Sequence, residues 1–201
     1  MDKYLNTEEK ILTAAIELFP LKGEVTTREI ARAAGVNVAA INYHFKSKNN
    51  LMRSVEKHYS SILYEVQSKI LMDSDSSPRD RLVNWANTLM EYMFKWPALI
   101  TLVSNLVLED KDYNPEIINR FFSDRKLMEN VQEIISNITG IGDSNTLNYR
   151  YVQLFSGVIG PIIFQLLPMV SNVEGNLVDF NKKEERIGYI NCLVDSILNI
   201  D

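Results

Sequence analysis

The side chains best suited to contact another molecule follow one another in a short stretch of the chain, and their types fit nucleic acid. Ala39 is small enough to let a helix end approach a groove closely, and its methyl group can touch a thymine methyl. Asn42 can hydrogen-bond the edge of an adenine. Tyr43, His44 and Lys48 can donate to phosphate oxygens. Together these residues predict a surface that contacts double-stranded DNA.

Two short helices are predicted to position these side chains. A Thr-x-x-Glu capping box begins a helix over Thr27–Ala34, and Gly35 ends it where a left-handed residue is needed. Asn37 is a good N-cap for a second helix over Val38–His44. This is the spacing of a helix-turn-helix. The predicted core shared by the two helices consists of Ile30, Ala31, Ala34, Val36, Ile41 and Phe45.

The spacing alone leaves two interpretations open, because short helix-loop-helix segments with one glycine occur in many helical proteins. The charge distribution favours DNA binding only weakly. The net charge is −5, but residues 1–60 carry +2 and the remainder carries −7. A mildly basic end on an acidic body suits a protein that touches DNA with one end.

An enzyme is not expected. His44, His58 and Cys192 are the only histidines and cysteine, and they lack metal-ligand spacing. No nucleophile, phosphate-loop or dinucleotide motif is present, so we expect no catalytic residue, metal or cofactor. A single cysteine excludes an intrachain disulfide and favours a reducing, cytoplasmic location.

Helical periodicity predicts an all-α chain with a helix-turn-helix domain over residues 1–47 and a larger helical domain over 48–201. A helix over 48–72 connects them. The run Leu154–Val170 is nearly all apolar, but it is short and interrupted by glycine and proline, so we interpret it as a buried helix and not as a membrane span. The other predicted helices cover Glu8–Leu21, Arg79–Trp96, Ala98–Leu108, Glu116–Ile138, a stretch from Ser144 or Asn145 to Val170, and Lys183–Ile200.

The segment Thr26–Leu51, with Ile11–Phe19 before it, resembles the N-terminal domain of TetR-family transcriptional regulators. The resemblance covers about residues 8–55 and is most specific at Tyr43-His44-Phe45-Lys46-Ser47-Lys48. It implies an all-helical homodimer that binds a ligand in its C-terminal domain, with the helix Val38–His44 as the recognition helix. By position, the family's DNA contacts correspond to Thr27, Arg28, Asn37, Val38, Ala39, Asn42, Tyr43, His44 and Lys48.

Three positions depart from the family's pattern. Glu24 stands where an aromatic or large apolar residue is usual, Asn42 replaces a common aromatic residue, and Asn49 replaces a common acidic residue. The base preference of a relative therefore cannot be transferred to this chain.

Aromatic and methionine side chains in the larger domain suggest a pocket for an apolar or aromatic small molecule. The alternative is that these side chains only fill the core, and Arg125 could equally pair with Glu129. The candidate ligand-binding residues are Trp85, Leu89, Met93, Trp96, Asn105, Phe121, Phe122, Arg125 and Phe155.

Apolar stripes on the last two helices suggest a dimer interface built as a four-helix bundle. The alternative is that the same stripes close the subunit's own core. The candidate interface residues are Tyr151, Leu154, Val158, Ile159, Ile162, Leu166, Ile187, Ile190 and Val194.

The sequence thus predicts a ligand-responsive regulator, most simply a repressor that binds a palindromic operator as a homodimer and is released by a small-molecule effector. A helical ligand-binding or protein-interaction module that does not bind DNA is the alternative.

Overall fold

The computed structural model describes residues 6–123, 125–165 and 178–199, and every regular element in those ranges is a helix. The prediction of an all-α fold is therefore confirmed. The elements are α1 (Thr7–Lys22), α2 (Thr27–Ala34), α3 (Val38–Phe45), α4 (Lys48–Leu71), α5 (Pro78–Lys95), α6 (Ala98–Glu109), α7 (Glu116–Ile118), a π-helical segment (Asn119–Ser123), α8 (Lys126–Thr139), α9 (Ser144–Gln165) and α10 (Lys183–Leu198).

The chain forms two compact units. The first consists of Met1–Ile62 with Trp96–Asn119, and the second consists of Leu63–Lys95 with Arg120–Asp201. Helix α4 contributes its beginning to the first unit and its end to the second. The functional boundary at residue 47 stays a prediction. Within the described ranges no helix is long and apolar enough to cross a lipid bilayer.

In the first unit, a tyrosine hydroxyl compensates for a proline in α1. Pro20 has no N–H, so the Ile16 carbonyl loses its usual helical donor. The Tyr59 hydroxyl donates to that carbonyl at 2.9 Å. The Tyr59 ring lies 5.9 Å from Phe19 and 5.3 Å from Trp96 between centroids, and burial raises the pKa of Tyr59. This contact fixes α4 against α1.

A fully buried carboxylate, Glu56, organises the same unit. It accepts hydrogen bonds from the hydroxyls of Tyr113 (2.9 Å) and Ser60 (2.8 Å). It also accepts from the amides of Glu116 (3.2 Å) and Ile117 (2.9 Å). Because α7 begins at Glu116, a side chain from α4 caps a helix about 60 residues further along the chain. Burial and the Glu56 charge raise the pKa of Tyr113.

The prediction of one continuous helix over Glu116–Ile138 is wrong. The structure has the single turn α7, then the π-helical segment, and α8 begins at Lys126. A π-turn closes on the fifth residue instead of the fourth, so it widens the helix locally. The wide turn carries Phe121 and Phe122, whose rings both lie close to Phe155, at 5.3 and 4.8 Å between centroids.

The second unit is a helical core in which α5 packs on α8, α9 and α10. Arg79 on α5 forms a two-pronged ion pair with Asp195 on α10, with N–O distances of 2.7 and 2.8 Å. The Arg79 guanidinium holds the pKa of the Asp195 carboxyl below its usual range. The buried side chains of this core include Leu82, Trp85, Leu89, Leu127, Val131, Tyr151, Leu154 and Ile190.

Candidate nucleic-acid interface

Helices α2 and α3 form a helix-turn-helix whose ends are fully capped. The Glu29 amide donates to the Thr26 hydroxyl at 3.3 Å, and the Thr26 amide donates to the Glu29 carboxylate at 2.9 Å. At the other end, Gly35 has φ 67° and ψ 32°, and the Val36 amide donates to the Ala31 carbonyl at 3.0 Å. This is a Schellman turn, and its left-handed residue is the predicted glycine.

Helix α3 is fixed on this turn by its cap and its apolar face. The Asn37 side chain accepts from the Ala40 amide at 2.8 Å, as predicted. The predicted core residues Ile30, Ala31, Ile41 and Phe45 are buried, whereas Ala34 and Val36 are half-buried. A helix held in this way presents its remaining side chains in a fixed direction, which is what recognition of a groove requires.

The outer side of α3 carries the side chains that the sequence assigns to DNA. Val38, Ala39 and Asn42 are exposed, and Tyr43 is 74% exposed. Most of the Tyr43 surface therefore takes no part in packing within the described chain. The exposure therefore fits a contact surface.

The far end of α3 forms a small cluster around Tyr43. The His44 ring meets the Tyr43 ring edge-on at 5.1 Å, and the Lys46 ammonium lies 5.6 Å from the Tyr43 centroid and donates to its carbonyl at 3.0 Å. His44 also lies 3.6 Å from a carboxylate oxygen of Glu8, which competes with a phosphate for this ring. Lys46 is not among the residues predicted to contact DNA, although it lies within the segment Tyr43–Lys48 on which the family resemblance is most specific.

The other predicted contacts lie at the starts of α2 and α4. Arg28 is exposed and Thr27 is half-buried in the first turn of α2. Lys48 is half-buried in the first turn of α4, where the Ser47 hydroxyl accepts from the Asn50 amide at 3.1 Å. Asn37 is exposed as well as capping α3. All nine predicted residues thus have accessible surface, and their contact with DNA stays a prediction.

The candidate ligand-binding residues divide between the two units. Trp85, Leu89, Met93 and Phe121 are buried in the second unit, with Phe155 half-buried and Phe122 41% exposed. Trp96 and Asn105 belong to the first unit, where the Trp96 ring lies against the Tyr59 ring at an interplanar angle of 53° and Asn105 is exposed. Arg125 is exposed. The structure therefore brings together Trp85, Phe121, Phe122 and Phe155, but it does not add Trp96, Asn105 or Arg125 to them.

The candidate interface residues need correction. Tyr151, Leu154, Val158, Ile162, Ile190 and Val194 are buried inside the second unit of a single chain, so these side chains close its own core. Ile159 is half-buried and Ile187 is 37% exposed, while Leu166 lies outside the described residues. Helical periodicity identified the apolar faces but could not distinguish a face covered within the chain from one left open.

The open apolar surface of α9 and α10 is adjacent to that buried face. It consists of Tyr149, Val152, Ile163 and Phe164, which are 46–66% exposed, together with Ile187. The two helices approach closely at Gly157, where an added Cβ would lie 2.7 Å from the Leu193 side chain. Among the described residues, no three His, Cys, Asp or Glu side chains could jointly hold a metal ion.

A capped two-helix motif with an exposed second helix, joined to a larger helical part, defines the helix-turn-helix class. Residues 11–55 match the family model described as bacterial regulatory proteins, tetR family. The match covers α2, α3 and the first turns of α4, so the N-terminal part of the chain is similar to that family. This is a family of regulatory proteins and not of enzymes, in agreement with the sequence-based expectation.

Two curated relatives are similar over part of the chain. A Bacillus subtilis (strain 168) protein named "Probable HTH-type transcriptional regulator YttP" is 33% identical over 129 residues, which cover 61% of this chain and 60% of that protein. The HTH-type transcriptional regulator AcrR of Shigella flexneri is 36% identical over 84 residues, or 39% of each chain. The similarity thus spans less than two thirds of either relative.

Solved structures extend the likeness of the fold to nearly the whole chain. A transcriptional regulator from Rhodococcus sp. Rha1 superposes with a TM-score of 0.68 at 16% identity, covering 96% of this chain and 97% of that one. The TetR-family regulator PfmR from Thermus thermophilus gives a TM-score of 0.60 at 18% identity, covering 96% of both chains.

Proposed function

We propose that the chain is a DNA-binding transcriptional regulator that binds a palindromic operator as a homodimer and changes its operator affinity when a small molecule binds. One observation carries this proposal. Helix α3 is capped and packed on α2, yet its outer side leaves Ala39, Asn42 and Tyr43 exposed. Such a helix can enter the major groove with small residues leading.

We assign the dimer interface, where a second copy of the chain would bind, to the open apolar surface of α9 and α10. Val152 and Ile163 are exposed on α9, and Gly160 on the same helix has no neighbouring atom within 4 Å of a built Cβ. Two copies of this surface related by a two-fold axis would bury apolar area on both subunits. A two-fold dimer presents two α3 helices about 34–36 Å apart and therefore favours a palindromic operator.

Repression relieved by the effector is the simplest output. A ligand that binds the second unit better in one state of the dimer shifts the population toward that state, and the shift is limited by its differential affinity. A regulator of this kind acts in the cytoplasm, where the bacterial chromosome lies. If the chain activated transcription instead of repressing it, the effect on transcription would be reversed, but the proposed DNA contacts of α3 would be the same.

Selection of duplex DNA from a random library with the purified chain tests the proposal. We expect a palindrome to be enriched. Three cations near α3, Arg28, Lys46 and Lys48, act twice in a dimer, so the slope of log affinity against log salt should be roughly −5. Affinity should then fall about a thousandfold between 50 and 200 mM salt. A folded dimer that enriches no sequence would favour a ligand-binding or interaction module instead.

The dimer surface is tested by Ile163→Asp. Ile163 is 46% exposed, so a carboxylate is solvated in the monomer but would be buried without a partner in the proposed interface. We expect a monomer by light scattering, with operator binding weakened and the helical content unchanged. Leu108→Asp, on α6 and 77% exposed, is the matched control and should leave the dimer intact. A dimeric Ile163→Asp protein would contradict the assignment.

A further inference from the structure

One of the predicted DNA contacts, His44 at the end of α3, lies against a carboxylate from another helix. Its Nδ1 atom is 3.6 Å from Oε2 of Glu8, which lies in the first turn of α1. The His44 side chain is 24% exposed and the Glu8 side chain is 60% exposed. An anion thus stands beside the imidazole at the surface that is proposed to meet a phosphate.

No second anion of the described chain pairs with this imidazole. Helices α1 and α2 both pack on α3. The Tyr43 ring lies edge-on at 5.1 Å, and the Lys46 ammonium is bound to the Tyr43 carbonyl. In the described chain, Nε2 of His44 has no hydrogen-bond partner and is not a buried unpaired atom. The charged residues of α2, none of which forms an ion pair or hydrogen bond with His44 there, are Arg28, Glu29 and Arg32.

The protonation state of His44 decides how many anions the ring can serve. A neutral imidazole carries one N–H, whereas the protonated ring carries two. A carboxylate beside Nδ1 favours the neutral form with its hydrogen on Nδ1, so Nε2 would meet a phosphate oxygen with a lone pair. The protonated ring can donate from Nδ1 to Glu8 and from Nε2 to the phosphate. A single proton therefore ends the competition between the two anions.

We propose that Glu8 is a positioning residue that couples operator binding to the uptake of a proton by His44. Histidine is the side chain whose charge ordinarily changes between pH 5 and 8, so the uptake falls in that interval. The phosphate adds a second anion next to the ring, and two anions favour its charged form more than one does. Because the operator binds the protonated state better, its affinity should rise as the pH falls. The inference rests on the proposed function, since it requires His44 to contact an operator phosphate.

The affinity of the full chain for the selected operator, measured at fixed salt from pH 8 to pH 6, tests the coupling. We expect about a tenfold rise, because a gain of roughly threefold at each His44, the size of a partly exposed ion pair, acts twice in a dimer. Calorimetry at pH 7 in two buffers of different ionisation enthalpy should show about one proton taken up per dimer. An affinity that does not change with pH, or that rises with it, would overturn the proposal.

Glu8→Gln separates the coupling from a general charge effect. The glutamine amide can donate to Nδ1, so the neutral ring can carry its hydrogen on Nε2 and donate to a phosphate without taking up a proton. We expect the pH dependence to fall to about threefold or less, and the affinity at pH 8 to exceed that of the unmodified chain.

Glu9→Gln is the matched control for this change. Glu9 is exposed one residue further along α1, and a glutamine there keeps the capping box with Asn6. The control removes the same charge but should keep the full pH dependence. An equal flattening of the pH profile in both variants would overturn the role of Glu8.

The two histidines of the chain provide a second pair of variants. His44→Gln supplies an amide donor that does not titrate, so the pH dependence should be lost. His58 is exposed on α4, and His58→Gln should leave the pH dependence unchanged. If His44→Gln kept the pH dependence, the proton would be taken up elsewhere and the proposal would be wrong.

A merely structural contact between α1 and α3 gives a different result. In that case Glu8→Gln would lower the Tm of the DNA-free chain and leave the pH profile unchanged, which would overturn the coupling. The outcome also differs from a failure of the proposed function. A palindrome bound with the same affinity at pH 6 and pH 8 overturns the coupling and leaves the regulator, whereas a folded dimer that enriches no sequence overturns both.

Discussion

Ala39→Glu is expected to lower operator affinity by at least about 100-fold without disturbing the fold. Ala39 is exposed in the first turn of α3, where a small side chain permits close approach to base edges. A carboxylate there meets the phosphate backbone and blocks the groove. A cost of about 1.4–3 kcal/mol in each subunit acts twice in a dimer. The measurement is a binding isotherm on the selected operator at fixed salt.

The fold should tolerate this change, because a carboxylate near a helix N-terminus interacts favourably with the helix dipole. Ala33→Glu is the matched control, since Ala33 is exposed near the end of α2 and takes the same charge. It should reduce affinity only slightly. Equal losses in both variants would indicate a general charge effect, and an unchanged Ala39→Glu protein would mean that α3 does not enter the groove.

Glu56→Leu is expected to lower the free energy of unfolding by about 3–5 kcal/mol, the cost typical of removing one partner from a buried polar network. The fully buried Glu56 carboxylate is the acceptor for two hydroxyls and two amides of the first unit. A leucine fills most of the space but accepts nothing, so the start of α7 loses its cap. Urea unfolding followed by circular dichroism gives the value.

Ser60→Ala is the control for this network. It removes one of the four donors to Glu56 and leaves the carboxylate satisfied by the other three, so the loss should be about 1 kcal/mol or less. Glu56→Gln retains one carbonyl oxygen and should lie between the two. If Glu56→Leu unfolded at the same urea concentration as the unmodified chain, the carboxylate would not be needed for stability.

Features set by neighbouring residues could be predicted from the sequence. Thr26 and Glu29 form their capping box, and Gly35 is left-handed as expected, because each depends on contacts within a few residues. The same logic applies to Asn6 and Glu9, three residues apart, which form a capping box at the start of α1. At α9 the cap is Asp143, whose carboxylate accepts from the Thr146 amide at 2.8 Å.

Features set by distant residues could not be predicted. The helical pattern after Pro115 is continuous, but the break into α7 and a π-helical segment accompanies a cap supplied by Glu56, far away in sequence. The role of Gly157 likewise depends on Leu193, a contact between two helices that no local rule reveals. Periodicity therefore identified helices correctly and misjudged where they are interrupted and what covers them.

In the candidate DNA-contact surface, too, some features are set by neighbouring residues and others by distant ones. The residue types on α3 and the motif around Tyr43 follow from the sequence, because recognition helices need exposed polar and small side chains. The pairing of His44 with Glu8 and of Lys46 with Tyr43 depends on packing, and both pairs modify how these side chains meet a phosphate.

Lys46 has one further consequence. It ends α3 with φ 68°, unusual for a residue with a side chain, and its ammonium is bound to the Tyr43 carbonyl and lies near the Tyr43 ring. Both side chains have therefore given up part of their rotational freedom before any DNA is present. Ordering a long side chain on binding costs about 0.5–1.5 kcal/mol, and part of that cost is already met during folding. This end of α3 is thus preorganised for its partner.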